Sequence, residues 1–134
     1  MKTINKTSNK VLSYLVNQAI DNDGHIKISN DKSFMPVCVE VIDENNSYRF
    51  ISVAHYYEQN GDLMADPEMC FIQYKDSNEF VPYYYKMDAF GTYQESISIE
   101  DGKPTKYAPR LQAEHTTFAN LWFKNIKFQQ DIKI

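Results

Sequence analysis

Residues 37–57 read VCVEVIDENNSYRFISVAHYY, and this stretch decides the fold. Val37, Val39 and Val41 alternate with Cys38, Glu40 and Ile42, the period of two that sends successive side chains to opposite faces of a strand. The polar run Asp43 to Ser47 turns the chain, and Tyr48 to Tyr57 resumes an extended, β-branched and aromatic pattern, so the pair predicts a β-hairpin. In its second strand Ile51 and Val53 fall on one face, and Phe50, Ser52 and Ala54 on the other. Both faces carry apolar groups, and one of them is expected to pack on helices.

Toward the C-terminus, Asn60-Gly61 is a tight-turn dipeptide because both residues tolerate positive φ, and Asp66-Pro67 is a second turn signal. A compact acidic loop is expected there, before a strand over Met69 to Lys75. A polar turn at Asp76 to Glu79 leads to another strand at Phe80 to Met87, in which Pro82, lacking an N–H, belongs at an edge, a bulge or a strand start. Thr92 to Ile99 and Lys103 to Tyr107 bracket Asp101-Gly102 as a second tight hairpin.

Toward the N-terminus lie a short strand at His25 to Ser29 and, before it, an amphipathic helix over Lys10 to Asn22. Val11, Leu12, Leu15, Val16, Ala19 and Ile20 fill half of its wheel. Thr7 or Ser8 is expected to cap its start and Gly24 to close its end. Ala113 to Gln130 is helical again, with Leu111, His115, Phe118, Ala119, Trp122 and Ile126 as an apolar stripe that Leu121 and Phe128 widen. No repeat or linker divides the chain. The expected architecture is one α+β domain over residues 1–134: an N-terminal helix, an antiparallel sheet of about five to six strands built from hairpins, and a C-terminal helix on one sheet face.

Composition narrows the function classes. The 134 residues are enough to bury a core without staples. Ten Tyr, eight Phe and one Trp make 14% aromatic residues, a content suited to sheets and broad contact surfaces. The net charge of −4 disfavours nucleic-acid binding by general charge. Cys38 and Cys70 stand in apolar strand runs without metal or redox spacing, and read as buried, protonated free thiols. The polar Met1 to Lys10 segment and the absence of a long apolar run predict a cytoplasmic protein without a membrane partner.

Chemistry is expected first in residues 55–68, which hold His55, Glu58, Asp62, Asp66 and Glu68 and no Lys or Arg. His55, Asp62, Asp66 and Glu68 offer imidazole and carboxylate ligands for a divalent cation, in a spacing that matches no calcium loop or zinc signature. The simpler reading gives Asp62 and Asp66 turn-forming roles, with no metal and no cofactor. Tyr57 and the run Tyr83-Tyr84-Tyr85, followed by Lys86 and Asp88, are candidate contact residues, able to stack on bases or on a partner's side chains. The simpler reading sends alternate tyrosines of the run into the core. His115, inside the helical stripe, reads as a satisfied core residue. With only four Gly, at scattered positions, no phosphate loop can be built.

The segment His55 to Phe71, with Gly61-Asp62-Leu63-Met64 and Asp66-Pro67-Glu68-Met69, followed by Pro82-Tyr83-Tyr84 and then Asp88, Gly91 and Tyr93, resembles a family of short uncharacterised bacterial proteins, a domain of unknown function. The resemblance covers about residues 37–95 and implies a setting on plasmids, integrative elements and phages. Ala65 and Met87 depart from its pattern, which implies a basic residue and an Asn there. It implies no activity. The expected function is a small non-enzymatic protein-interaction module, an inhibitor of a host defence or nucleic-acid enzyme. A metal-dependent hydrolase built on the acidic loop and a single-stranded nucleic-acid binder are the alternatives.

Overall fold

The computed structural model describes residues 1–134. In chain order the elements are α1 (Lys6–Ile20), β1 (His25–Ile28), β2 (Val37–Glu44), β3 (Tyr48–Gln59), β4 (Asp62–Tyr74), β5 (Glu79–Met87), β6 (Thr92–Glu95), β7 (Ile97–Glu100), β8 (Lys103–Tyr107) and α2 (Pro109–Gln129). Strands β1 to β6 form one antiparallel meander in sequence order, and β7–β8 form a separate two-stranded sheet. The α+β architecture expected from the sequence is the one observed. No helix is long and apolar enough to cross a membrane.

Both helices lie on one face of the large sheet. Val11, Leu12, Leu15 and Val16 of α1, with Trp122, Phe123 and Ile126 of α2, pack against Val39, Ile51, Val53, Met69, Phe71 and Phe80. Burying a side chain of this size stabilises the fold by about 1.5–3 kcal/mol each. The other face is divided. Phe50, Ile72 and Val81 are covered by Ile97 and Ile99 of the β7–β8 hairpin, together with Tyr48, Tyr74 and Tyr83. The hairpin tip is pinned where Asn45 Nδ2 donates to the Gly102 carbonyl at 2.8 Å, and a Cβ at Gly102 would meet that same nitrogen at 2.8 Å.

Several local expectations are corrected. Asn5, rather than Thr7 or Ser8, caps α1 by accepting from the Ser8 amide at 2.9 Å, so the helix begins earlier than its apolar stripe suggests. The expected acidic loop is strand: β3 and β4 run almost to the Asn60-Gly61 turn, where both residues take positive φ, and Asp66-Pro67 lies within β4 at a register irregularity rather than at a chain reversal. Thr92 to Ile99 is split at buried Ser96 into strands of different sheets. Leu121 and Phe128 do not widen the apolar stripe of α2; they are 59% and 80% exposed. Pro82 sits at a register shift, as expected, but β5 is an inner strand and β6 forms the edge.

Buried glutamines fasten the ends of α2. Gln112 accepts from the Lys2 amide at 2.7 Å and donates to the Lys2 carbonyl at 2.8 Å, tying the N-terminal segment to the helix. Gln130, just past the helix, accepts from the Asn30 amide at 2.8 Å and donates to the Met35 carbonyl at 3.1 Å, fixing the connection between β1 and β2.

Candidate functional site

The residues singled out in the sequence do not all converge on one site. His55 points to the helical face, where Nδ1 donates to the Pro36 carbonyl at 2.9 Å and the ring stands edge-on to Trp122. Tyr85 also faces the helices, against Phe118 and His115, with Asp66 near enough for its charge to raise the phenol pKa beyond the effect of burial. Asp62 lies at the exposed end of β4, paired with Gln59. Tyr57 is half-buried and lines a cleft of about 400 Å³ with Lys27, Cys38, Tyr56 and Leu63. No group of three His, Cys, Asp or Glu side chains is placed to hold a metal ion.

Asp88 serves as a strap. Its carboxylate accepts from the Ala65 amide at 2.6 Å and the Tyr93 hydroxyl at 3.0 Å, and these hydrogen bonds, the amide first, hold its pKa below the usual carboxylate range. It joins the short turn at Asp88–Phe90 to β4.

Glu68, Tyr83 and Tyr84 do come together, on the part of the outer face that β7–β8 leaves uncovered. The ladder places His25, Glu40, Ser52, Cys70, Tyr84 and Glu95 in one cross-strand row. The adjacent row is Lys27, Cys38, Ala54, Glu68, Lys86 and Tyr93. The register shift opposite Cys70 puts Tyr83 and Tyr84 on the same face: Tyr83 packs edge-on to Phe50 and lies near the Cys70 thiol, while Tyr84 is the ladder partner of Cys70. The small residues Ser52, Ala54 and Cys70 form a floor. They are only 5%, 0% and 6% exposed although no helix or hairpin covers them, because the half-buried rings of Tyr56, Tyr83 and Tyr84 stand around them.

Glu68 is the electrostatic centre of this surface. Its Oε2 accepts from Ser52 Oγ at 2.5 Å. Burial first and the Glu68 charge second push Tyr56 and the Cys70 thiol each up to about 12 and raise Tyr84. Tyr83 rises for the same leading cause, burial, with the neighbouring thiol next. At neutral pH all of these groups keep their protons. The surface therefore offers hydrogen-bond donors and rings rather than activated nucleophiles. Cys38, raised by burial, is inert in the same way, and both cysteines are free, although Cys38 is half-buried where full burial was expected.

Sequence reading missed Ser52, Tyr56 and Cys70 as members of this surface. The alternation from Phe50 to Tyr56 carried the signal for Ser52 and Tyr56, since residues at even positions of β3 share the outer face. A surface depression of about 660 Å³ lies elsewhere, between the start of α1 and the end of α2 beside Lys124, Lys127 and Phe128. Every buried side-chain nitrogen and oxygen in the molecule has a partner, so no orphaned polar group is aimed into it.

A family model described as a domain of unknown function, DUF6908, matches residues 6–132. No curated protein and no solved structure matches the chain.

Proposed function

The chain belongs to the DUF6908 family, a domain of unknown function, and from that premise we propose that it is a non-enzymatic protein-interaction module. Its docking surface is the uncovered part of the outer sheet face, around Ser52, Tyr56, Glu68, Tyr83 and Tyr84. The observation that carries this reading is the composition of that face. Rigid, half-buried tyrosines with protonated hydroxyls surround a floor of small side chains. Tyrosine supplies large amphipathic contact area at low entropic cost, with the phenol hydroxyls as hydrogen-bonding groups.

The resemblance of residues 37–95 to proteins of plasmids, integrative elements and phages supplies a setting. There, a small acidic cytoplasmic protein that blocks a host defence or nucleic-acid enzyme is the role that fits the net charge of −4. Glu40, Glu68 and Glu95 in the two rows work against phosphate binding, and the separation of His55 from Glu68 works against a metal-dependent hydrolase.

A photo-cross-linking amino acid at position 84, compared with one at exposed Thr117 on α2, tests the reading in source cells. A discrete protein adduct is expected from position 84 and not from 117. Equal labelling from both positions, or none from 84, would overturn it.

A further inference from the structure

We propose that the surface around Glu68 receives an arginine side chain of the partner, its guanidinium paired with the carboxylate and stacked on the flanking tyrosine rings. The inference rests on the reading of this face as an interface and adds the chemistry of what docks there.

Glu68 lies on a central strand and has no cation of its own. One carboxylate oxygen accepts from Ser52 Oγ, and the residue takes part in none of the ion pairs of the molecule. Its direct cross-strand neighbour is Lys86, the natural internal counter-ion, yet Lys86 turns away. The ammonium lies 3.9 Å from Asp88 Oδ1 and 5.7 Å from the centre of the Tyr93 ring. Lys27, in the same row, is separated from Glu68 by Cys38 and Ala54, a span of about 14 Å at the usual strand spacing. A negative charge is thus left open on a surface whose own lysines are engaged or distant.

The surroundings select the cation. The half-buried rings of Tyr56, Tyr83 and Tyr84 cover the small residues beneath and stand around the carboxylate, so a group that pairs with Glu68 meets aromatic side chains, which suits a planar cation rather than a compact hydrated one. A guanidinium is planar, weakly hydrated, able to pair with a carboxylate through a fork of N–H groups and to stack on aromatic faces; an ammonium lacks the fork and the plane. A divalent metal would need further ligands that are not placed here. Glu40 and Glu95, flanking in the neighbouring row, add potential of the same sign, and the chain as a whole carries −4.

The test is a titration of the ¹⁵N-labelled protein with a capped glycine peptide carrying one arginine, beside the same peptide with citrulline, which keeps the shape without the charge. Saturable shifts are expected at the amides of Ser52, Glu68, Cys70 and Tyr84 with arginine alone. Glu68→Gln retains an acceptor for Ser52 and should keep the spectrum of the folded chain while weakening binding about tenfold or more. Tyr84→Leu should weaken it about threefold and Tyr84→Phe much less. Equal shifts with citrulline, equal affinity in Glu68→Gln, or no saturable shift would overturn the inference. If the cross-link from position 84 persists alongside such a result, the interface reading stands and only its arginine chemistry falls. If arginine binds as expected while position 84 labels nothing, the arginine contact at Glu68 stands and the interface reading falls.

Discussion

Ser96 Oγ lies 2.8 Å from Nδ1 of His115, and Nε2 of the same ring is 3.0 Å from Gln94 Oε1. An amide oxygen only accepts, so Nε2 carries the proton and the Ser96 hydroxyl donates to Nδ1. The neutral ring is thereby satisfied on both sides at 4% exposure, and it joins α2 to the junction of β6 and β7.

Burial lowers the His115 pKa below its ordinary 6.5, opposed only by the adjacent Glu114. Above pH 6.5 both folded and unfolded chains hold the ring neutral and it leaves stability unchanged. As the pH falls below that value the unfolded chain takes up the proton first, so stability declines, and the decline levels off once the folded ring is protonated as well. Urea unfolding across the pH range should show this loss well before the carboxylates respond. The Glu44 pKa, lowered first by its Lys75 contact and then by Arg49, contributes stability that disappears only below its ordinary 4.5. In His115→Gln the loss beginning near pH 6.5 should vanish and the carboxylate loss should remain.

Gln112→Ala removes the acceptor of the Lys2 amide and the shorter of two donors to the Lys2 carbonyl, leaving Thr116 Oγ1 at 3.3 Å, and opens a cavity in a site with 0% exposure. A loss of about 2–4 kcal/mol is expected by chemical denaturation. Hydrogen exchange should accelerate at the Lys2 amide. Gln130→Ala should instead release the Asn30 and Asp31 amides, showing that the two clamps act on different segments.

On α2, Leu121→Ser and Phe128→Ser should change stability by no more than about 0.5 kcal/mol, since both side chains are largely in water. Phe123→Ala, at a fully buried position against Phe71, should cost about 3–5 kcal/mol. Comparable losses at all three positions would contradict the helix orientation.

The cysteines should resist alkylation at neutral pH in the folded chain. Cys38, half-buried, should react ahead of Cys70, whose thiol pKa is pushed to about 12 by burial and by Glu68. A mass-resolved iodoacetamide time course checks the order, and Glu68→Gln should speed Cys70 only slightly because burial is the larger cause.

Much of this architecture was legible because it is written in period and punctuation. The Val37 to Tyr57 hairpin, the turns at Asn60-Gly61 and Asp101-Gly102, and the stripe of α1 depend on neighbours in sequence. The docking face was not legible, since it depends on register. Strict alternation puts Tyr83 with Tyr85 and opposite Tyr84, whereas the bulge facing Cys70 sets Tyr83 and Tyr84 on one side and Tyr85 on the other. Glu68 looked like part of an acidic loop because Asp66-Pro67 imitates a turn, yet pairing with Ala54 and Lys86 keeps it in the sheet. The covering of Phe50, Ile72 and Val81 by Ile97 was equally hidden, because it joins segments with no shared period.

The position of α2 in the chain shapes how the molecule can be made. Val53, Met69 and Phe71 leave the ribosome long before Trp122, Phe123 and Ile126, the side chains that complete their cover. At about 5–20 residues per second, that underside stays partly open for several seconds of translation, screened by α1 alone. The N-terminal segment at Lys2 also waits for Gln112. The state most exposed to aggregation is therefore the nascent chain with its sheet finished and its last helix still in the exit tunnel, and it is there, more than in the completed domain, that chaperone help would matter.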